Sequence, residues 1–239
     1  MAGTSPAMTS SAPIGPPVDA TPAPRPERRA FDGAHIRLEP LTAAHARDLY
    51  SATHGDDARD IWRYLFTGPY ADIASFEAWC ATAAQSADPV HWAVIDKSGK
   101  AVGALTLMRI DPPNRVIEIG GITFGTPLQR TTGSTEAIYL LARYIFDELG
   151  YRRFEWKCND LNAPSRHAAM RLGFSYEGLF RQHMIVKGRN RDTAWFAMLD
   201  SDWPARRAAF ETWLAPGNFD ANGRQRVSLG ELMGAGGLG

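Results

Sequence analysis

Apolar residues recur along the chain with two periods, which separate predicted strands from predicted helices. Alternation and short apolar runs predict strands over residues 35–39, 90–95, 101–110, 116–124 and 153–158, and a hairpin over 174–186 and 193–199 that turns at 187–191. Apolar residues three or four positions apart predict helices over 42–53, 57–65, 72–87, 134–149, 162–172 and 202–215. This order predicts an α/β fold with a mixed sheet flanked by helices.

Short polar segments between the apolar runs indicate how the strands are connected. Asp96-Lys97-Ser98-Gly99 and Asp111-Pro112-Pro113-Asn114 are strong turn signals. The three strands between residues 90 and 124 are therefore predicted to form an antiparallel meander. Gly120 and Gly121 interrupt the third of these strands and predict a β-bulge, although close backbone packing is the alternative explanation.

Both ends of the chain differ in composition from its middle. Residues 1–29 hold seven of the sixteen prolines among Ala, Ser and Thr, and so little apolar surface predicts a disordered leader. Residues 217–239 are rich in glycine, which predicts a flexible tail. The remaining stretch, 30–216, has the length of one domain.

Charge and cysteine content argue against several classes of protein. Lys plus Arg and Asp plus Glu both total 26, so no net charge favours nucleic acid or an anionic membrane as partner. Cys80 and Cys158 are too far apart to suggest a disulfide framework or a cysteine-bound zinc, and the six histidines lack metal-ligand spacing. Without a signal peptide or a run of about 18 apolar residues, the expected location is the cytoplasm.

The segment between residues 124 and 135 runs from a strand through a loop into the start of a long helix. Unpaired backbone N–H groups and the helix dipole converge at such a point and can bind an anion such as a pyrophosphate. The loop is mostly short-chained and hydroxyl-rich, with one cation: Gln129, Arg130, Thr131, Thr132, Gly133 and Ser134. The alternative is that Ser134 or Thr135 simply caps the helix, with Glu136 favouring its dipole.

Five motifs in order resemble the GNAT superfamily of N-acetyltransferases over residues 31–200. They are Ile36-Arg37-Leu38-Glu39-Pro40-Leu41, Ile117-Glu118-Ile119-Gly120, Thr135-Glu136-Ala137, Asn162-Ala163-Pro164-Ser165 and Arg171-Leu172-Gly173-Phe174. The set is most similar to the branch of the ribosomal-protein N-terminal acetyltransferases. Ile61-Trp62-Arg63-Tyr64-Leu65, followed by Gly68-Pro69-Tyr70, resembles the acetyltransferase domain of microcin C self-immunity proteins.

The resemblance implies a mostly antiparallel sheet of about six to seven strands, splayed between the fourth and fifth. It also implies acetyl-CoA as co-substrate in that splay, with the pantetheine paired to the strand residues Ile122, Thr123 and Phe124. The pyrophosphate would bind the following loop. Either Gln129 or Arg130 can stand at the first position of the family's loop pattern, so the register of this loop stays open.

Acyl transfer needs a neutral amine, a donor for the oxyanion and a group that protonates the leaving thiolate. Glu118, a carboxylate in an otherwise apolar strand, is the candidate base, with a salt-bridged Glu on the solvated side as the alternative. The bulge is expected to aim the N–H of Ile122 or Thr123 at the thioester oxygen.

The resemblance also bears on the acid. Many relatives use a tyrosine seven residues after the asparagine of the Asn162 helix, but that position is Ala169. The ribosomal branch implies Ser165 instead, as a hydrogen-bond donor to the sulfur or the pantetheine. Asn162 would hold the pantetheine amide, and helix capping is the alternative for both residues.

Recognition of the acceptor is assigned to the segment that holds Trp62, Tyr64 and Tyr70, with core packing as the alternative for these aromatics. Cations of the hairpin can bind a phosphate-bearing acceptor or CoA phosphates, or can be solvated: Arg181, Lys187, Arg189 and Arg191.

The expected function is acetyl transfer from acetyl-CoA to a primary amine by direct attack in a ternary complex. The amine is a protein N-terminus or a small aminoacyl compound, and the chain is expected to be a monomer or a homodimer. One alternative is a non-catalytic CoA-binding domain with the same fold. The other is an RNA- or ribosome-associated module, which the balanced charge disfavours.

Overall fold

The computed structural model describes residues 15–234, and a single sheet runs through them. Eight strands form it: β1 (Phe31–Asp32), β2 (Arg37–Pro40), β3 (Val90–Ile95), β4 (Ala101–Asp111), β5 (Val116–Phe124), β6 (Arg153–Asn159), β7 (Ser175–Val186) and β8 (Arg189–Leu199). Their spatial order is β1-β2-β3-β4-β5-β6-β8-β7. The predicted α/β fold is confirmed, with eight strands instead of six to seven because β1 adds a short edge strand.

Within residues 15–234, six α-helices flank the sheet. They are α1 (Ala46–Thr53), α2 (Ile73–Ala83), α3 (Thr132–Arg143), α4 (Ala163–Arg171), α5 (Trp203–Leu214) and α6 (Leu229–Leu232). Helix α3 continues as a π-helix over Tyr144–Glu148, which accounts for the rest of the predicted helix over 134–149. The predicted helix over 57–65 is a 3-10 helix, Asp56–Trp62, and another 3-10 turn, Ala43–His45, precedes α1.

The meander of β3, β4 and β5 is antiparallel, as predicted. The turn between β3 and β4 is stabilised by Asp96, whose Oδ1 accepts hydrogen bonds from the N–H groups of Ser98 and Lys100. Asp111 stabilises the next turn, accepting from the Asn114 N–H at 3.2 Å and from its side-chain amide at 2.7 Å. Side-chain acceptors of this kind are why Asp-rich turn sequences stop strands.

The splay that positions the functional site lies between β5 and β6. These strands are parallel and paired from Val116↔Arg153 to Ile119↔Trp156. After Ile119 the pairing stops, while β6 continues to pair with β8 as far as Asn159↔Thr193. The second half of β5 therefore has a partner, β4, on one side and a free edge on the other. This is the predicted splay.

Two hydrophobic cores lie on the sheet. The larger contains the buried residues of α3 and α5 against alternate positions of β5 and β6, including Ile117, Ile119 and Phe154. The smaller lies under α1 and α2 and contains Trp62, Phe76 and Cys80. In both halves of the sheet the alternation of buried positions follows from the period of two in a strand.

The hairpin of β7 and β8 has a tighter turn than the predicted 187–191. Val186 pairs with Arg189, so Lys187 and Gly188 alone form the turn, with φ of 50° and 71°. Positive φ at both central residues is the geometry of the type I′ turn, one of the two common two-residue hairpin turns. Asn190 and Arg191 thereby belong to β8, which places Arg191 on the sheet.

The described parts of the two predicted loose ends pack against the domain. Within the predicted leader, Ala23 is buried and its N–H donates to Pro112 O at 3.0 Å. Within the predicted tail, helix α6 puts Leu229 and Met233 into the larger core. The packed unit is thus longer than 30–216, because a few apolar side chains fix segments that are polar on average. The predictions for residues 1–14 and 235–239 lie outside the described residues.

Candidate active site

The splay opens into a cavity of about 870 Å³. One wall is the free half of β5, the opposite wall is formed by β6, β8 and the start of α4, and the segment 60–67 covers the space between them. Predicted site residues that line it include Glu118, Gln129 and Asn162. The cavity therefore collects groups from parts of the sequence as far apart as residues 60 and 193.

The backbone of β5 bulges where it leaves β6. Thr106 of β4 lies opposite Gly120, and Ala104 lies opposite Thr123, so β5 carries one more residue than its partner in this interval. Gly121 has φ of +55°, a left-handed conformation that other residues adopt at a cost. The predicted bulge is confirmed. Ile122, Thr123 and Phe124 all line the cavity beyond it.

The loop after β5 is closed by its own hydrogen bonds. Gln129 Nε2 donates to Phe124 O at 2.8 Å, and Thr131 Oγ1 donates to Leu128 O at 2.7 Å. Thr131 is also the N-cap of α3, since its Oγ1 accepts from the Ser134 N–H. The alternative in which Ser134 or Thr135 caps the helix is therefore wrong. The N–H groups of the first turn, including those of Thr132 and Gly133, have no carbonyl four residues earlier within the helix.

Glu136 does not serve the helix dipole as the capping alternative proposed. Its carboxylate is buried and accepts hydrogen bonds from three consecutive backbone N–H groups, those of Ala34, His35 and Ile36. These contacts tie the segment before β2 to the first turns of α3. Gly133 packs against the same segment, where a Cβ atom would lie 2.6 Å from Ile36 Cγ2. Both residues hold the loop in place without lining the cavity.

Glu118 lies on the cavity wall in an ion-pair network. Its Oε2 is 2.9 Å from Lys157 Nζ and 3.3 Å from Arg109 Nε. Lys157 also contacts Glu155 at 2.6 Å, and its ammonium lies over the Trp195 ring. Burial raises the pKa of Glu118, while Lys157 and Arg109 act in the opposite direction. The alternative placed Glu118 on the solvated side of the sheet, which is wrong, because Glu118 is buried. Its prediction of a salt bridge is correct.

The register of the sheet creates this network. Glu118 and Glu155 are opposite one another across the parallel pair of β5 and β6, and Lys157 is two residues further along β6 on the same face. Two buried carboxylates this close would repel, so the cation between them compensates for both. Sequence reasoning missed Lys157 and Glu155. The signal was present, because charged residues alternate with Phe154, Trp156 and Cys158 along a central strand.

Helix α4 begins at the cavity with Asn162 as its N-cap. The Asn162 side-chain oxygen accepts from the Ser165 N–H at 3.2 Å, so capping is part of its role, and its amide N–H group is left for other contacts. Ser165 Oγ accepts from Trp156 Nε1 at 3.0 Å, which leaves the hydroxyl proton available as a donor. Cys158 lies beside it, and burial raises the pKa of that thiol.

The aromatic residues predicted to bind the acceptor have different environments. Trp62 is buried in the smaller core, donates from Nε1 to Thr53 O at 2.7 Å and reaches the cavity lining. Tyr64 lines the cavity, and its hydroxyl donates to Leu161 O at 3.1 Å across the opening. Tyr70 packs against Trp62, Phe76 and Trp79 and is not part of the lining, so core packing is correct for it.

The four cations of the hairpin also lie in different environments. Arg181 and Arg189 are exposed and lie outside the cavity lining. Lys187 Nζ donates to Trp62 O at 2.8 Å, which fastens the hairpin to the covering segment. Arg191 is buried, lines the cavity and lies over the Phe66 ring. Within residues 15–234 no cluster of His, Cys, Asp and Glu side chains has the arrangement of a metal site. Every helix of this stretch is too short or too polar to cross a membrane.

Comparisons with known proteins agree with this geometry. Residues 35–175 match the family described as acetyltransferase (GNAT) domain. The crystal structure of a GCN5-related N-acetyltransferase from Brucella melitensis is 53% identical, with a TM-score of 0.88, over 90% of this chain and 99% of that chain.

Two further relatives lie in the branches that the sequence motifs resemble. YdaF of Bacillus subtilis (strain 168), whose name assigns it provisionally to the ribosomal N-acetyltransferases, is 28% identical over 109 residues. That match spans 46% of this chain and 59% of YdaF. The microcin C7 self-immunity acetyltransferase MccE, solved with acetyl-CoA and AMP, is 22% identical over 70% of this chain and 93% of that chain, with a TM-score of 0.63. At that identity the likeness concerns the fold.

Proposed function

This chain belongs to the acetyltransferase (GNAT) domain family and is an acetyltransferase, and from that premise we propose that it transfers the acetyl group of acetyl-CoA to a primary amine. The amine attacks the thioester directly while both substrates occupy the cavity. The amine is that of a protein N-terminus or of a small aminoacyl compound. The transfer takes place in the cytoplasm, by a monomer or a homodimer.

The observation that carries the proposal is the free half-edge of β5 inside the cavity. From the bulge at Gly121 to Phe124, this strand presents backbone donors and acceptors with no strand on that side. A pantetheine arm contains two amides in an extended chain and can complete such an edge as an added strand does. The loop Gln129–Ser134 and the start of α3 follow directly, where N–H groups suit a pyrophosphate.

The chemical step then proceeds at the bulge. The amine nitrogen forms a bond to the acetyl carbon, the carbonyl oxygen becomes an oxyanion, and the carbon–sulfur bond breaks as the intermediate collapses. The N–H of Ile122 or Thr123 donates to the oxyanion, because the bulge interrupts the regular pairing with β4 between Gly120 and Thr123. Glu118 removes a proton from the amine through water, since burial raises its pKa towards the range of a useful base.

The leaving thiolate needs a hydrogen-bond donor, and Ser165 provides it. Its oxygen accepts a hydrogen bond from the indole of Trp156, so its own proton is available for the sulfur. Asn162 orients the same helix start and contributes its amide to the pantetheine.

The direct test is an assay of thiol release from acetyl-CoA with a panel of primary amines, with mass spectrometry of the amine products. We expect thiol release that depends on the amine and a product heavier by one acetyl group. Cofactor binding without turnover across peptide N-termini, amino acids and aminoacyl compounds would overturn the proposal. Full kinetics with both substrates varied should give intersecting lines, and parallel lines would contradict direct attack in a ternary complex.

A further inference from the structure

Arg191 is a buried cation in the cavity wall with no anionic partner. It is 6% exposed. Its Nε donates to Thr193 Oγ1 at 3.2 Å, and its guanidinium carbon lies 4.7 Å from the centroid of the Phe66 ring. Among the side chains that the structure describes, no carboxylate forms an ion pair with it. A buried charge without a partner is costly and is uncommon away from ligand sites.

The charges around Arg191 are balanced without it. On the same face of the sheet, three carboxylates and three cations form one connected network of ion pairs: Glu118, Glu155, Glu177, Arg109, Arg153 and Lys157. The pKa of the nearby His183 is lowered by partial desolvation and by the cations Arg109, Arg191 and Lys157, which disfavours its charged form. None of these carboxylates is therefore left to pair with Arg191.

The contacts of Arg191 leave a defined part of the guanidinium for a ligand. The bond from Nε to Thr193 and the stacking on Phe66 fix the position and plane of the group. The two terminal nitrogens, Nη1 and Nη2, remain as parallel donors. This planar fork matches the two oxygens of a carboxylate. One carboxylate would also balance the single charge of Arg191, whereas a phosphate dianion would carry one negative charge more than the guanidinium offsets.

We propose that Arg191 binds a carboxylate of the acceptor, so that the acceptor is a primary amine that also carries a carboxylate group. The inference rests on the proposed acetyl transfer, because the same cavity holds both Arg191 and the free edge of β5. It narrows the acceptor from amines in general to amino acids and carboxylate-bearing amines of similar size. Amines without a carboxylate lack the group that Arg191 binds.

The test compares matched acceptors and matched variants. Acceptors are α- and ω-amino acids from glycine to 6-aminohexanoate, each with its primary amide, together with O-phosphoethanolamine and ethanolamine. The enzymes are the wild type, Arg191→Met, Arg191→Lys and the control Arg189→Met, which removes an exposed cation of the same strand outside the cavity. The readout is kcat/KM for formation of the acetylated amine.

The wild type is expected to prefer at least one amino acid over its amide by about tenfold or more, which corresponds to about 1.4 kcal/mol. In Arg191→Met this ratio should fall to about one, because kcat/KM for the amino acid falls. Arg191→Lys should keep part of the preference, since it restores the charge without the fork. Arg189→Met should behave as the wild type.

Three results of the kinetic comparison would overturn the inference, and they differ from one another. Acetylation of amines with no preference for acids leaves the proposed function standing and removes the carboxylate site. If the wild type prefers O-phosphoethanolamine to the amino acids, and Arg191→Met abolishes that preference, the site binds phosphate instead of carboxylate. If no amine is acetylated at all, the proposed function fails, and the inference fails with it.

Thermal unfolding of the same variants separates ligand binding from a structural role. Because Arg191 is an uncompensated buried charge, Arg191→Met should unfold at the same or a higher temperature than the wild type. A lower Tm of Arg191→Met would show that its contacts with Thr193 and Phe66 serve the fold, and would contradict the inference. If Arg191→Met does not fold, Arg191→Gln, which keeps a donor for Thr193, provides the same comparison.

Discussion

The two walls of the cavity recognise their ligands with different parts of the chain. The β5 wall presents backbone groups beyond Gly121, and its side chains there carry no charge. The opposite wall presents the ion-pair network of Lys157 and the buried Arg191. A backbone wall is independent of most side-chain identities, whereas a charged wall changes with each substitution. One fold can therefore keep a common donor substrate and vary the acceptor.

The largest expected effect comes from removing the cation at the centre of the charged wall. Lys157→Met leaves Glu118 and Glu155 close together and buried without the cation between them, and only the partly exposed Arg109 and Arg153 remain as their partners. We expect the free energy of unfolding to fall by about 3–5 kcal/mol, as when one partner of a buried pair is removed. Urea unfolding measures the loss. The exposed Lys97→Met is the matched control. If Lys157→Met lowers the free energy of unfolding by less than about 1 kcal/mol, the stability of the charged wall depends less on Lys157 than the contacts indicate.

The next effect tests the backbone wall. In Gly121→Val, a β-branched residue meets φ of +55° and a Cβ contact of 3.1 Å with Thr106 Cγ2. The bulge should shift, and kcat/KM for acetyl-CoA should fall by about 100- to 1000-fold, the range for a lost oxyanion donor. Gly99→Val is the control, because Gly99 also has a positive φ, +82°, with open space around it. Equal kcat/KM for acetyl-CoA in the two variants would show that the bulge does not contribute to catalysis.

Substitution of Glu118 tests whether the charged wall also supplies the base. Glu118→Gln should lower kcat/KM by about 100-fold near pH 7. Burial raises the pKa of Glu118 above its ordinary 4.5, so the base is lost as pH falls through that raised pKa. The ratio of wild-type to variant activity should therefore be largest at high pH and approach one at low pH. Titration of the amine affects both enzymes equally, and a ratio independent of pH would exclude this role.

The smallest expected effect concerns the thiol. Ser165→Ala should lower kcat by about tenfold, the value of one hydrogen bond, with KM for acetyl-CoA within about twofold. Ser165→Thr keeps a hydroxyl and should retain most of the turnover. The indole of Trp156 loses its acceptor in the alanine variant, so Tm is measured for both. Unchanged kcat in Ser165→Ala would remove this residue from the chemistry.

Much of the backbone wall could be predicted from the sequence. The splay is implied by the resemblance to the GNAT superfamily, whereas the alternating strand over 116–124 and the bulge at Gly120-Gly121 follow from periodicity and from glycine. These are local features, and they need no knowledge of which strands meet. The error in this region concerns the N-cap of helix α3, which is Thr131 rather than Ser134 or Thr135.

The charged wall could not be predicted in the same way. Glu118, Glu155 and Lys157 form a network because two strands that are about 35 residues apart pair in one particular register. Arg191 was assigned to a turn, and a two-residue turn instead places it on β8. The packed ends escaped prediction for a related reason, since single buried residues such as Ala23 and Leu229 do not alter the average composition.

The free half-edge of β5 has a consequence for aggregation and for inhibition. Unpaired strand edges usually have to be protected, because they template pairing with other chains. This edge lies inside the sheet and beneath the segment that Tyr64 and Lys187 fasten to the opposite side, so a second sheet cannot reach it. A single extended chain is narrow enough to reach this edge. Linear compounds with amides at peptide-like spacing should therefore compete for this edge better than flat ring systems of equal size.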